Sequence, residues 1–251
     1  MSAVRRDLDA RAPTITAIWH DLECGGYSAD LALWRSLAAE HGDPVLEVGA
    51  GTGRVALDLA RRGHRVSALE RDPALLAELQ QRARGLELQA VLADARSFDL
   101  DRRFALCLVP MQTIQLLGGS RGRAAFLRCA ARHLHHGGVL VAALADKLEP
   151  FERRVRAAWP PPDRRELDGV LYSSRPTAVR ADRDGFVLER HREMLRPGGV
   201  RSTQEESIRI DTLQAAQLED EALAVGLLLA GRASIPPTRE YAGSTVVILH
   251  A

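Results

Sequence analysis

The chain has 251 residues and 27.4 kDa, with 34 basic against 33 acidic side chains and a formal charge of +1. That balance speaks against nucleic-acid or membrane-surface binding driven by bulk charge, and a composition 46% hydrophobic and 27% charged is that of a globular chain, not a disordered one. The three cysteines, Cys24, Cys107 and Cys129, form no CxxC pair, so neither a disulfide framework nor a structural zinc site is expected.

At the N-terminus, Arg5, Arg6, Asp7, Asp9 and Arg11 precede any apolar stretch, which does not read as a signal peptide. No run of 18 apolar residues occurs, so no membrane span is expected, and the expected location is cytoplasmic. From residue 44 onward, short apolar runs alternate with helix-length stretches. Strands are predicted at Val45–Val48, Arg65–Leu69, Leu86–Leu92, Phe104–Val109 and Val139–Leu144, each rich in Val, Leu and Ala as buried parallel strands are. Helices are predicted at Gly53–Arg62, Pro73–Arg84 and Ser120–His136, closed by Gly63, Gly85 and Gly137-Gly138. This alternation implies right-handed βαβ units and a parallel sheet covered by helices on both faces.

After Ala145 the pattern breaks. Trp159-Pro-Pro-Pro162 stops regular structure, and extended segments follow at roughly 168–179, 186–195 and 200–211, separated by Asp184-Gly185 and Pro197-Gly198-Gly199. They read as an antiparallel β insertion, residues 146–211. Asp211 with Gln214 is predicted to cap a helix running through Ala224, and Ser244–His250 is a final strand. His133, His135 and His136 read as complements to a helix C-terminus, and no metal site is expected.

The chemistry is concentrated in Val45-Leu-Glu-Val-Gly-Ala-Gly-Thr-Gly53, a strand, a glycine turn and a helix start. Ligands of open α/β sheets bind at the carboxyl ends of the strands. A dinucleotide fingerprint needs a glycine where Arg54 stands, and no Gly-Lys-Ser/Thr follows, so a ligand without a pyrophosphate is favoured. Glu70, at the end of the second strand, can accept both hydroxyls of a ribose. Asp94, at the end of the third, can accept from an exocyclic purine amine while the Ala95 N–H faces a ring nitrogen. Together they describe an adenosyl ligand.

With Glu47-Val-Gly-Ala-Gly-Thr-Gly53, Glu70, Asp94-Ala95 and His135-His136-Gly137-Gly138-Val139 in this order, the sequence resembles the class I S-adenosylmethionine-dependent methyltransferases. Within them it resembles the small-molecule type with an N-terminal helical cover and a β insertion after strand five, such as the sugar-amine and glycine N-methyltransferases. The resemblance implies a Rossmann-like, seven-stranded, mostly parallel sheet whose last strand, Ser244–His250, is reversed. It implies a cover over 1–43, a core of 44–145 and 212–251, the insertion as acceptor cap or dimer surface, and S-adenosylhomocysteine as product. It places Gly49, Ala50, Gly51, Gly53 and Arg54 along the methionine and ribose, Glu47 on the loop or the amino group, and Glu70 with Arg71 at the ribose. Asp94, Ala95 and Arg96 fall at the adenine, Pro110, Met111 and Gln115 on a further wall, and Tyr27 near the methionyl carboxylate. His136, in place of a common proline, and Arg71-Asp72, in place of smaller residues, depart from the pattern.

Methyl transfer from a sulfonium needs alignment more than acid–base chemistry. A base or acceptor-orienting group is sought in the cover and insertion, at His20, Tyr172, His191 or Glu193. The place where base-modifying enzymes carry Asn/Asp-Pro-Pro-aromatic reads Val109-Pro-Met-Gln112, so a small-molecule acceptor is favoured over nucleic acid, and an amine over a hydroxyl. An exposed edge of the insertion offers a homodimer contact. Two other classes stay open: a non-catalytic adenosyl-binding protein, and an NAD-dependent oxidoreductase, which Arg54 and Asp94 disfavour.

Overall fold

The computed structural model describes residues 12–145, 151–152, 161–238 and 241–251. The charged stretch from Arg5 to Arg11 and the Trp159-Pro160 start of the proline run lie outside them.

The N-terminal segment is α1 (Ile15–His20), continued by a π-helical turn over Asp21–Gly25, and α2 (Leu31–His41). The core then runs β1 (Val45–Val48), α3 (Arg54–Arg61), β2 (Val66–Glu70), α4 (Pro73–Arg82), β3 (Leu88–Leu92), β4 (Phe104–Val109), a 3₁₀ turn over Thr113–Leu116, α5 (Gly119–His133) and β5 (Leu134–Leu144). The insertion contributes β6 (Phe151–Glu152), β7 (Asp163–Leu167), β8 (Val170–Asp182), β9 (Gly185–Leu195) and β10 (Arg201–Asp211). The chain closes with α6 (Ala215–Leu223), β11 (Leu228–Ile235) and β12 (Ser244–His250).

Seven strands form one sheet in the order β11-β12-β5-β4-β1-β2-β3. β1 to β5 pair in parallel, while β12 runs antiparallel to both β5 and β11, so the last strand is reversed as expected. Alternate residues of each buried strand feed two cores. Leu46, Val48, Cys107, Val109, Leu140 and Ala142 pack on the α5 and α6 side, and Val45, Leu106, Leu108, Val139 and Val141 on the side of α2, α3 and α4. That is why these strands read as continuous apolar runs.

The helix boundaries have local causes. Asp72 accepts from the Ala74 and Leu75 N–H groups at 2.8 and 3.2 Å, with Pro73 next, which starts α4. α5 stops at His133, short of the predicted His136. Its last side chain turns inward, Nδ1 donating to the Cys129 carbonyl at 2.7 Å and Nε2 accepting from the Leu100 N–H at 2.9 Å. His133 is therefore a core tie between α5 and the approach to β4, not a dipole complement, and His135 and His136 belong to β5.

The second sheet, β10-β9-β8-β6 with β7 also pairing on β8, is antiparallel throughout. The Asp211 capping expectation is corrected. Gln214 precedes α6 and makes no side-chain cap bond, whereas Asp211 Oδ2 accepts from the Gly119 N–H at 2.5 Å and so caps α5. The acid is drawn there because Arg123, 2% exposed, needs anions, and takes both Glu221 (2.6 Å) and Asp211 (3.5 Å).

Candidate active site

The site is built on the carboxyl end of β1. Gly49, Gly51 and Gly53 all have positive φ, at 72°, 57° and 96°, the region L side chains avoid. Their bare faces are also filled. A Cβ on Gly49 would stand 2.5 Å from Thr113 Cγ2, on Gly51 2.3 Å from His20 Nε2, and on Gly53 2.3 Å from Leu79 Cδ1. The glycines thus let the protein's own side chains close on the turn, a use that sequence reasoning, thinking only of a ligand, did not foresee.

Glu70 ends β2 and is buried. Its Oε2 accepts from the Gly51 N–H at 2.8 Å, and Oε1 from the Arg71 and Asp72 N–H groups at 2.8 and 2.9 Å. The carboxylate clamps the turn into its left-handed shape and still has lone-pair capacity on Oε2. Glu47, 2% exposed, stands behind the turn with Oε2 unpaired among the described residues. Burial pushes its carboxyl up to about 8, against the pull of Arg54 and a backbone hydrogen bond from Ala56.

Asp94 lies beyond β3 and is bound by Arg96 through the backbone N–H (2.8 Å), Nε (2.9 Å) and a terminal guanidinium nitrogen (2.6 Å). This hydrogen bonding brings its carboxyl down to about 2. Ala95 is buried beside it. Pro110 and Met111 follow β4, and Met111 sits at φ 55°, unusual for a residue with a side chain and common at functional turns.

Two of the residues expected at the ligand, Arg54 along the methionine and ribose and Gln115 on the further wall, are committed elsewhere. Arg54 pairs with Asp30 at 2.6 and 2.7 Å and donates to the Tyr27 carbonyl at 2.9 Å, tying α3 to the cover. Gln115 spends its whole amide on backbone: Nε2 donates to the Ala145 and Asp211 carbonyls at 3.1 and 2.8 Å, and Oε1 accepts from the Ala145 N–H at 2.8 Å. It staples together the points where the chain leaves the core after β5 and returns after β10. Gln115→Leu is expected to leave three buried backbone groups unpaired and to lower stability by about 2–3 kcal/mol. Urea unfolding of the variant within about 0.5 kcal/mol of wild type would show that the staple carries no such weight.

The cover supplies the roof. Tyr27 is buried, its ring 4.8 Å from that of Tyr241 and 5.1 Å from the Arg54 guanidinium, and its hydroxyl has no partner among the described residues. His20 lies on Gly51. Trp19 packs edge-on to Tyr172 of β8, ring centroids 5.4 Å apart. Glu23 reaches the insertion, accepting from Ser174 Oγ at 2.7 Å and from two nitrogens of Arg192 at 2.8 Å, with Arg190 at 3.3 Å. Burial raises the Glu23 carboxyl, but the bonds from Arg192 and Ser174 and the charge of Arg190 leave it below its ordinary value.

His191 and Glu193 alternate with Arg190 and Arg192 along β9 and so project from the other face of that sheet. There His191 Nδ1 meets Glu205 at 2.5 Å and Glu193 meets Arg201 at 3.3 Å. The structure brings His20 to the glycine turn and Tyr172 to the cover, and does not bring His191 or Glu193 to either. The residues that sequence reasoning missed are Asp21, Glu23, Asp30 and Thr52. For Asp21 and Glu23 the visible signal is the run His20-Asp-Leu-Glu23, polar at three of four positions beside an apolar helical segment; Thr52 stands within the glycine motif itself, and Asp30 has no such signal.

Residues 45–138 match the family Methyltransf_25, described as "Methyltransferase domain". That stretch, from β1 to the early part of β5, is similar to a methyltransferase domain. Over 111 residues the chain is 33% identical to Cypemycin N-terminal methyltransferase from a Streptomyces species, covering 44% of each. Over 116 residues it is 35% identical to a probable cobalt-precorrin-6B C(15)-methyltransferase (decarboxylating) from Methanothermobacter thermautotrophicus, covering 44% of this chain and 58% of that one. The matches thus span about half the length of these curated relatives. Among solved structures, the sugar N-methyltransferase KedS8 from Streptoalloteichus superposes with a TM-score of 0.74 at 19% identity, over 99% of this chain and 97% of that one. That likeness is one of fold.

Proposed function

We propose that the protein is an S-adenosylmethionine-dependent methyltransferase acting on a small molecule, with an amine favoured over a hydroxyl as acceptor. The observation that carries the reading is Glu70, a buried carboxylate at the end of β2 that grips the Gly51 N–H of the methyltransferase domain's glycine turn and keeps lone-pair capacity for a ribose.

The residues present fit the donor. Glu47 Oε2 is a buried oxygen with no partner among the described residues, suited to an ammonium that would draw the proton off its carboxyl, and the Tyr27 hydroxyl is a buried group suited to a carboxylate. Asp94 and the Ala95 N–H suit an adenine edge once Arg96 shares the carboxylate. When bound, S-adenosylmethionine supplies an electrophilic methyl group and departs as S-adenosylhomocysteine. The protein's task is to hold the acceptor in line and keep water out, and orientation of this kind is worth roughly 7–11 kcal/mol. Trp19, Tyr172 and Glu23 with its arginines close the cover onto the insertion for that purpose.

A small-molecule acceptor accords with the near-neutral charge, and an amine accords with the names of Cypemycin N-terminal methyltransferase and of the sugar N-methyltransferase KedS8, which shares the fold. No helix among the described residues is long and apolar enough to cross a membrane. In the same proposal the segments before β1 and between β5 and α6 are cover and acceptor cap.

Calorimetric titration with S-adenosylmethionine, S-adenosylhomocysteine and NAD tests it. Micromolar binding of the two adenosyl ligands is expected, with no heat from NAD. Glu70→Gln, which keeps the side chain's shape, is expected to weaken adenosyl binding by about 2 kcal/mol, roughly thirtyfold. Heat from NAD alone would replace the reading with an oxidoreductase. Adenosyl binding without turnover across a panel of amines and alcohols would favour a non-catalytic binder.

A further inference from the structure

His20 is the last residue of α1, at the junction with the π-helical turn, a feature frequent at functional sites. Its ring is pinned from two sides. Nε2 and Cε1 lie on Gly51, where a Cβ would stand 2.3 and 2.4 Å away. Nδ1 lies 3.3 Å from the hydroxyl of Thr52, and that hydroxyl donates at 2.6 Å to Asp21 Oδ1. A hydroxyl has one hydrogen. Having given it to Asp21, Thr52 can only accept from His20, so Nδ1 carries the imidazole hydrogen and the lone pair stands on Nε2, facing the glycine turn.

Asp21 is itself fixed. Arg82 of α4 donates to it through both terminal nitrogens, at 3.1 and 2.5 Å, Arg82 is held in turn by Glu78 at 2.7 Å, and Arg165 of β7 stands 3.5 Å away. The arrangement joins cover, core and insertion at a histidine that lies on the turn. The other three candidates lack this: Tyr172 packs on Trp19, and His191 and Glu193 face away.

We propose that Thr52 and Asp21 are positioning residues that set His20 as the proton acceptor of the methyl transfer, with Nε2 as the atom that takes the proton. The proposal rests on the methyltransferase reading. As the acceptor heteroatom forms its bond to the methyl carbon, the carbon–sulfur electron pair stays with sulfur, which leaves neutral. The proton released from the acceptor goes to Nε2, and the resulting imidazolium keeps its Nδ1–H on Thr52 and later gives the proton to solvent. Burial holds His20 below its ordinary value, the carboxylates of Asp21, Glu70 and Glu23 pull it back up, and Arg82 opposes them. The imidazole is therefore neutral, and a proton acceptor, at pH 7.

The test begins with nitrogen-15 NMR of the histidines in the free protein, the His20 signals being assigned by their loss in His20→Gln. Wild type and Thr52→Ser are expected to show one tautomer, protonated at Nδ1, and Thr52→Val a mixture. Asp21→Asn, which removes a carboxylate and leaves Arg82, is expected to move the His20 titration to lower pH. With an amine acceptor found in the panel, the acid limb of kcat, which reports His20 in the loaded enzyme, should move to lower pH in Asp21→Asn, in the same direction as the NMR titration, and vanish in His20→Gln. Thr52→Val should lose about tenfold or more in kcat with KM for the donor little changed. An unchanged tautomer in Thr52→Val, or an acid limb that stays in place in Asp21→Asn, would reduce the cluster to packing and overturn the proposal. Calorimetry with S-adenosylhomocysteine separates the two readings: binding with a failed relay leaves the methyltransferase standing, and no binding in wild type removes both.

Discussion

Asp30→Ala is expected to lower the unfolding free energy by about 3–5 kcal/mol, the ordinary result of stranding one member of a buried ion pair. Asp30 is fully buried and accepts three hydrogen bonds, two from Arg54 at 2.6 and 2.7 Å and one from the Trp34 indole N–H at 2.7 Å. Arg54, whose side chain is 12% exposed, would then hold an uncompensated charge against the buried carbonyl of Tyr27. Asp30→Ala combined with Arg54→Met removes both charges and should recover most of the loss, because the penalty lies in the stranded ion more than in the missing attraction. Urea unfolding of wild type, both single variants and the double variant checks this. Additive losses in the double variant would mean that the pair is not coupled. The double variant has a second use: it frees the cover from α3 with the charge balance intact, so weakened binding of S-adenosylhomocysteine there reports on Tyr27 and its loop.

The core was legible because its signals are local and repeat. β1, β4 and β12 have the bounds that their apolar runs suggested, and the glycine turn, Pro73 and the strand-end acids mark the βα junctions. The strands that escaped notice have compositions that hide them. β7 reads Asp163-Arg-Arg-Glu-Leu167, charged on both faces, and is a strand only because β8 pairs with it. β11 contains Ala230, Gly231 and Ser234 and owes its form to β12. The site divides along the same line. Glu47, Glu70 and Asp94 are named by their position in the motif. Asp21 with Arg82 and Glu23 with Arg192 join residues 61 and 169 positions apart, a relation that only the folded chain contains. Gln115 shows the converse. Its place after β4 marked it for a ligand wall, whereas its three bonds run to backbone at Ala145 and Asp211.

Glu47 gives the second large effect, and its sign is opposite to that of most carboxylates. Burial dominates over Arg54 and the Ala56 hydrogen bond, so the group stays protonated in the folded chain up to about pH 8, while in the unfolded chain it ionises at its ordinary, lower value. Between the two, the folded state binds the extra proton and stability falls as pH rises. The contribution approaches about 1.4 kcal/mol per pH unit in that window. Glu47→Gln has nearly the same shape and no charge to desolvate. The variant is expected to match wild type near pH 5 and to be the more stable of the two at pH 8, the difference growing through the interval. Because histidines titrate in both proteins, the difference between the two urea-unfolding curves isolates Glu47, and parallel curves would show that its ionisation is not suppressed. The unpaired Oε2 carries the same argument to the ligand. An ammonium group placed against it would favour the carboxylate and expel the proton, so binding of S-adenosylhomocysteine at pH 7 should release a proton in wild type and none from this source in Glu47→Gln. Titrations in two buffers with different heats of ionisation read that proton directly, and equal release in both proteins would place the ammonium elsewhere.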